Sequence, residues 1–233
     1  MSRSVIRIKK GKKTSDSISV AILAAGCGNK IKSYEPRSLL KIQGKPLIEH
    51  QLSTINNYFK NEAETITVVG CHANKVIKKV KNETRIVENQ IYNDTNSSES
   101  LRLAFNNSSS PNFMFFHGDI FFNEACIDVD YSKSFIIIDT EKLIKDHEIG
   151  ITEIDNKLSI MSYGLPTKWA QIAFFKGKEH SLLASVLNKF ENKDKKKLSF
   201  EIINSIIEMG GSFNCYEPKE KKLIEIDRIK DIR

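Results

Sequence analysis

Apolar residues in this chain follow two rhythms. Short continuous runs rich in β-branched residues occur at Ser17–Ala24, Thr65–Gly70 and Asn112–His117. Such runs predict strands buried on both faces, as in a parallel sheet. Between them, apolar residues recur three and four positions apart. Leu47, Ile48, Leu52, Ile55 and Phe59 mark a helix over Pro46–Phe59, and Pro46 suits its start. Asn74–Val80 and Ser97–Phe105 read as two further helices, and Leu39–Ile42 and Arg85–Val87 as short strands. Alternating strands and helices predict an α/β fold: a single domain with a Rossmann-like, mixed but mostly parallel sheet flanked by helices.

The second half is less regular. Ser134–Asp139 and Lys168–Phe175 read as strands. Ile149–Ile154 and Lys157–Met161 flank Asp155-Asn156, which predicts a hairpin. Lys178–Phe190 and Leu198–Met209 have helical spacing, and the lysine-rich run Lys193–Lys197 between them reads as a solvated turn. Ser212–Tyr216 and Lys222–Ile226 are expected to be closing strands.

Charge first suggests a polyanion-binding protein, because 36 basic residues face 29 acidic ones, a net of +7 in 233 residues. The distribution weakens that reading. Residues 1–20 hold six basic groups and one acid, a net of +5, which leaves +2 for the other 213 residues. The expected organisation is therefore a basic N-terminal extension over residues 1–16 and a near-neutral domain over 17–233. A nucleic-acid module would also need an aromatic-plus-basic strand pattern, and none is present. No run reaches the length of a membrane span, and the first 20 residues lack the apolar centre of a secretory signal. The four cysteines (Cys27, Cys71, Cys126 and Cys215) form no C-x-x-C pair, which argues against zinc. Reduced thiols in a cytoplasmic protein are the expectation.

The segment after the first strand carries the strongest chemical signal: Leu23-Ala24-Ala25-Gly26-Cys27-Gly28, then Lys30, Pro36 and Arg37. A glycine turn at the carboxyl end of a parallel strand is where α/β folds place phosphates. Gly26 and Gly28 let backbone N–H groups approach an anion, and two cations follow. The dinucleotide fingerprint fails because Ile31 occupies the third glycine position, and the Walker A pattern is absent.

This string resembles the signature of the nucleotidylyltransferases, L-A-A-G-x-G-x-R-(M/L)-x4-P-K. Leu23, Ala24, Ala25, Gly26, Gly28 and Pro36 match, and the spacer 32–35 is kept. Lys30 stands where Arg is usual and Arg37 where Lys is usual. The family includes the sugar-1-phosphate nucleotidylyltransferases and the smaller phosphocholine cytidylyltransferase-like enzymes, and shares a glycosyltransferase A-type fold. Three later segments are also similar to that branch, in order. Thr95–Leu101 resembles the turn that meets base and ribose, with Asn96 and Ser100. Gly118-Asp119 resembles the strand end that holds Mg²⁺. Glu225-Ile226-Asp227 resembles the element carrying the second metal carboxylate.

The resemblance implies Mg²⁺-dependent transfer of a nucleotidyl group from an NTP to a phosphorylated or phosphonylated acceptor, with release of pyrophosphate. CTP is favoured by the small size and the Asn-Ser turn. Lys30, Arg37, Asp119 and Asp227 would be catalytic, Asp119 and Asp227 as metal ligands. Leu23, Ala24, Ala25, Gly26, Cys27, Gly28, Asn96, Ser100 and Gly118 would bind nucleotide. For an acceptor with a quaternary amine, Tyr163, Trp169 and Glu225 are candidates for an aromatic cage closed by an acid. Other readings are a uridylyl-, thymidylyl- or guanylyltransferase acting on a sugar 1-phosphate, a glycosyltransferase using Asp128-Val129-Asp130 as its metal motif, and a non-catalytic nucleotide-binding relative. Assembly as a homo-oligomer is left open.

Overall fold

The computed structural model describes residues 17–27, 36–141 and 144–226. The expected basic extension 1–16, and Gly28, Lys30 and Asp227 with it, lie outside the described residues. Chain order is β1 (Ile18–Ala24), β2 (Lys41–Ile42), β3 (Lys45–Pro46), α1 (Leu47–Phe59), β4 (Glu64–Val69), α2 (Ala73–Val80), β5 (Arg85–Glu88), α3 (Ser97–Asn106), β6 (Asn112–His117) and β7 (Ile120–Phe122). There follow β8 (Phe135–Asp139), β9 (Ile149–Ile154), β10 (Lys157–Tyr163), β11 (Thr167–Lys176), α4 (Lys178–Asn188), α5 (Ser199–Glu208), β12 (Asn214–Tyr216) and β13 (Leu223–Glu225).

The main sheet runs β5-β4-β1-β6-β11-β8-β12-β10-β9. Its first four strands are parallel, and β11 lies antiparallel against β6. Period-two alternation sends successive side chains to opposite faces. Val20, Ile22, Met114 and Phe116 meet α1 and α2 on one face. Ala21, Leu23, Phe113 and Phe115 meet α3, α4 and α5 on the other. Apolar runs without alternation were required because both faces are covered.

The hairpin forms at Asp155-Asn156, both with positive φ (51° and 58°), the backbone that a two-residue turn needs. One feature of this half was not foreseen. Strand β9 pairs with β10 and also with β11, so β11, β8, β12, β10 and β9 close on themselves. The closure covers an edge that would otherwise be open to pairing. A bulge between Trp169 and Ala173, with Gln171 at φ 60°, bends β11 while it stays paired to β8, and on its other edge the partner changes there from β9 to β6.

Candidate active site

The chain runs from β1 outward to β4 and β5, then returns to add β6 on the other side of β1. A crevice opens at the carboxyl ends of the strands where the direction reverses. The cleft there measures about 230 Å³. Leu23, Ala24, Ala25 and Gly26 line it from β1, and His117, Gly118 and Asp119 from β6. Arg37, Asn96 and Ser100 complete the predicted residues that line it. Four segments far apart in sequence thus meet at one place.

Close packing sets this geometry. Gly118 donates its N–H to the Leu23 carbonyl (2.9 Å), and a Cβ there would lie 2.8 Å from Ala24 Cα. Only glycine lets the β6 end approach β1 this closely. Asp119 follows, and one of its oxygens, Oδ2, is 2.5 Å from the Arg37 guanidinium. The other, Oδ1, is buried and has no hydrogen-bond partner among the described residues. The Ser38 hydroxyl, also in the cleft wall, is buried and unpartnered in the same way. Buried polar atoms without partners are costly, so two in one cleft beside a cation point to a ligand.

The wall formed by Asn89 and Thr95–Ser100 is knitted by hydrogen bonds. The buried Asn89 carboxamide donates to Thr95 Oγ1 (3.1 Å) and Ser100 Oγ (3.4 Å). Asn96 caps α3 through Oδ1, which accepts from the Ser97 N–H. The lysine-rich run is not merely a solvated turn. The Lys195 carbonyl accepts from Asn96 N–H and the Lys197 carbonyl from Ser98 N–H, so its backbone braces the start of α3. His117 Nε2 meets Ser199 Oγ at 2.8 Å. Burial pushes the His117 imidazole below its usual value; the Asp119 charge opposes this and the Arg37 charge adds to it.

Three expectations are corrected. Cys27 is not a free thiol: it forms a disulfide with Cys71, whose N–H also donates to the Ala25 carbonyl (2.8 Å). The pair fastens the glycine loop to the end of β4; Cys126 and Cys215 are buried free thiols. The acceptor cage does not form. Trp169 is 2% exposed, edge-on to Phe115 and His117, and its indole N–H donates to the Ile172 carbonyl. Tyr163 is 50% exposed and packs on Phe200 instead. The Glu225 carboxylate is 2.8 Å from the Lys168 ammonium, which also meets Glu148 at 2.7 Å. Lastly, Asp128 and Asp130 do not line the cleft: Asp128 accepts from the Tyr58 hydroxyl and Asp130 from Ser132.

Sequence reading also missed Ser38, Asn89, Tyr92 and Leu198 in the cleft wall. Ser38 had a signal, standing next to Arg37. The others are ordinary polar or apolar residues that only folding brings there.

A divalent cation fits this site. Mg²⁺ takes few protein carboxylates and completes its shell with phosphate oxygens and water, and Asp119 Oδ1 is a buried carboxylate oxygen with no other partner. Among the described residues no group of three or more His, Cys, Asp or Glu forms a metal cage.

Residues 20–128 match the MobA-like NTP transferase domain. The fold is shared with solved structures of such enzymes. The inositol-1-phosphate CTP transferase from T. maritima has a TM-score of 0.74 at 17% identity, over 92% of this chain and 91% of that one. The CTP:phosphocholine cytidylyltransferase from Streptococcus pneumoniae has 0.69 at 19%, over 92% and 95%. A nucleoside-diphosphate-sugar pyrophosphorylase from Vibrio cholerae has 0.69 at 11%, over 91% and 97%. No curated protein matches the sequence. No helix among the described residues is long and apolar enough to cross a membrane.

Proposed function

We propose that this protein is a Mg²⁺-dependent nucleotidyltransferase that joins the nucleotidyl group of CTP to a small phosphate- or phosphonate-bearing acceptor. The observation that carries this reading is the cleft itself: the Arg37 cation beside Asp119, whose second oxygen has no hydrogen-bond partner among the described residues, at the ends of β1 and β6. CTP is supported by the Thr95–Ser100 turn and by the two structural neighbours whose names specify CTP. Both of those are named for a small phosphorylated acceptor. The cleft, about 230 Å³, is smaller than the roughly 300–1,000 Å³ of a complete ligand site. It houses part of the nucleotide, and the phosphates extend toward Arg37 and the glycine loop.

An oxygen of the acceptor phosphate attacks the α-phosphorus in line. A new P–O–P bond forms, the bond to the bridging oxygen breaks, and pyrophosphate leaves with the electron pair. No general base is needed, because the attacking phosphate is already ionised. The chain's task is to bring anions together and hold them in line. Gly26 offers its backbone to the phosphates, and the Arg37 guanidinium turns from Asp119 to a phosphate oxygen. Asp119 Oδ1 would hold Mg²⁺, whose charge when bound offsets that of the phosphate oxygens. Asn96 and Ser100 face the base and ribose.

The test is a pyrophosphate-release screen of the four NTPs against sugar phosphates, phosphocholine, phosphoethanolamine and aminoethylphosphonate with Mg²⁺. Turnover with CTP and one acceptor class is expected. Absence of turnover for every pair overturns the reading.

A further inference from the structure

Gln51 is a polar residue on the apolar face of α1. It lies three residues after Ile48 and four before Ile55, both fully buried, and is itself 1% exposed. Its carboxamide nitrogen donates both hydrogens into one turn, to the His117 carbonyl (2.8 Å) and the Ile120 carbonyl (2.8 Å). Those two carbonyls bracket Gly118-Asp119. Gln51 does not line the cleft, so it does not touch a ligand there.

Stability alone does not account for this residue. Its Oε1 is buried and has no hydrogen-bond partner among the described residues. A buried acceptor left unpaired costs about what a hydrogen bond or two return. An apolar residue of similar size would avoid that cost but would take the donor away from both carbonyls. The amide cannot reverse to relieve it, because Oε1 would then face two carbonyl oxygens. What Gln51 supplies is geometry. The turn is held at Gly118 N–H by Leu23, at the Asp119 carbonyl by Ile226 N–H (2.8 Å), and at the two flanking carbonyls by Gln51. With the backbone pinned on every side, the position of the Asp119 carboxylate is set before any ligand arrives.

The geometry points to Gln51 as the positioning residue for Asp119: through one carboxamide it fixes the turn that aims the metal-binding carboxylate. The inference rests on the proposed nucleotidyl transfer for its kinetic consequence, and not for its structural one. Gln51→Met keeps size and removes the donor. In the full-length chain without ligands, backbone amide exchange across Phe113–Phe122 should quicken about 5-fold or more, while α2 and α4 stay within about 2-fold. In the active enzyme, the Mg²⁺ concentration for half-maximal pyrophosphate release should rise about 5-fold or more, with KM for CTP at saturating Mg²⁺ changed less than about 2-fold. Gln51→Asn, too short to span both carbonyls, carries the same readings should Gln51→Met not fold. Unchanged exchange across the turn overturns the positioning role. So does a rise in KM for CTP with no change in Mg²⁺ requirement. If wild-type protein shows no turnover with any substrate pair, the functional reading fails, and the exchange measurement alone decides the role of Gln51.

Discussion

Two clusters of opposite charge sit one strand pairing apart. Arg37 and Asp119 meet in the cleft wall, and Lys168 joins Glu148 and Glu225 just behind it. They are linked through β13, where Glu225 pairs with Ile120 and the next residue, Ile226, bonds the Asp119 carbonyl. Yet they differ in what they leave undone. Among the described residues, Asp119 keeps one buried oxygen without a hydrogen-bond partner, and the residue lines the cleft. Lys168 answers two carboxylates at once in a buried setting, and Glu148 also accepts from the Lys145 backbone N–H. A charge with bonding capacity to spare is placed for a ligand, whereas one whose charge is matched within the protein holds the architecture.

Mutating each cluster should therefore fail in opposite ways. Asp119→Asn is expected to lower turnover by about 100-fold or more with an unchanged melting temperature. A variant that works near the wild-type rate would remove Asp119 from the chemistry. Lys168→Met removes the shared cation from the buried Glu148 and the half-buried Glu225, and should cost about 3 kcal/mol in denaturant unfolding. If Lys168→Met instead unfolds like wild type but loses turnover, the two clusters have been assigned the wrong way round.

The disulfide sharpens the contrast from the other edge of the cleft. It closes a loop of 44 residues between the glycine turn and β4. Chain-entropy reasoning gives about 4 kcal/mol for a loop of that length, and about 2–4 kcal/mol is commonly realised. Cys71→Ser should lose stability in that range, read by chemical denaturation under non-reducing conditions. Equal stability with and without a dithiol reductant would show that the bridge contributes nothing.

Acid gives the smallest effect. Burial raises Glu148, but the Lys168 hydrogen bond, the Lys145 N–H and the two lysine charges outweigh it, and its carboxyl lies below the usual 4.5. A lowered carboxyl stabilises fully above its unfolded value and loses that contribution as pH falls through the folded one. Melting temperature should therefore drop as pH falls below about 4.5. In Lys168→Met the buried carboxyl titrates higher instead, so this part of the acid slope should flatten or reverse. Identical slopes would detach the cluster from acid stability.

Much of the first half was legible because both rules that shape it are local. Continuous apolar runs announced β1, β4 and β6, and three-and-four spacing announced α1 and α3. The ends of those strands carry the cleft, and Leu23–Gly26, Arg37 and Gly118-Asp119 were named there through their resemblance to the nucleotidylyltransferase motifs. Gln51 left a faint signal, a polar residue at a core position of α1. Trp169 was misplaced because aromatic character is shared by cage and core alike. Its burial depends on the β11 bulge, which no periodicity records. The same holds for Lys168, whose partners come from segments 20 and 57 residues away.

The sequence by itself determined the strand and helix order and set Gly26 and Arg37 beyond the end of β1, because backbone preference and apolar spacing act over a few residues. The tertiary structure alone decided which polar atoms have partners. It closed β9 onto β11, joined Cys27 to Cys71, gave Glu225 to Lys168 and left Asp119 Oδ1 without a partner among the described residues. Each of these depends on register and close approach between distant segments, and those are set only when the layers pack.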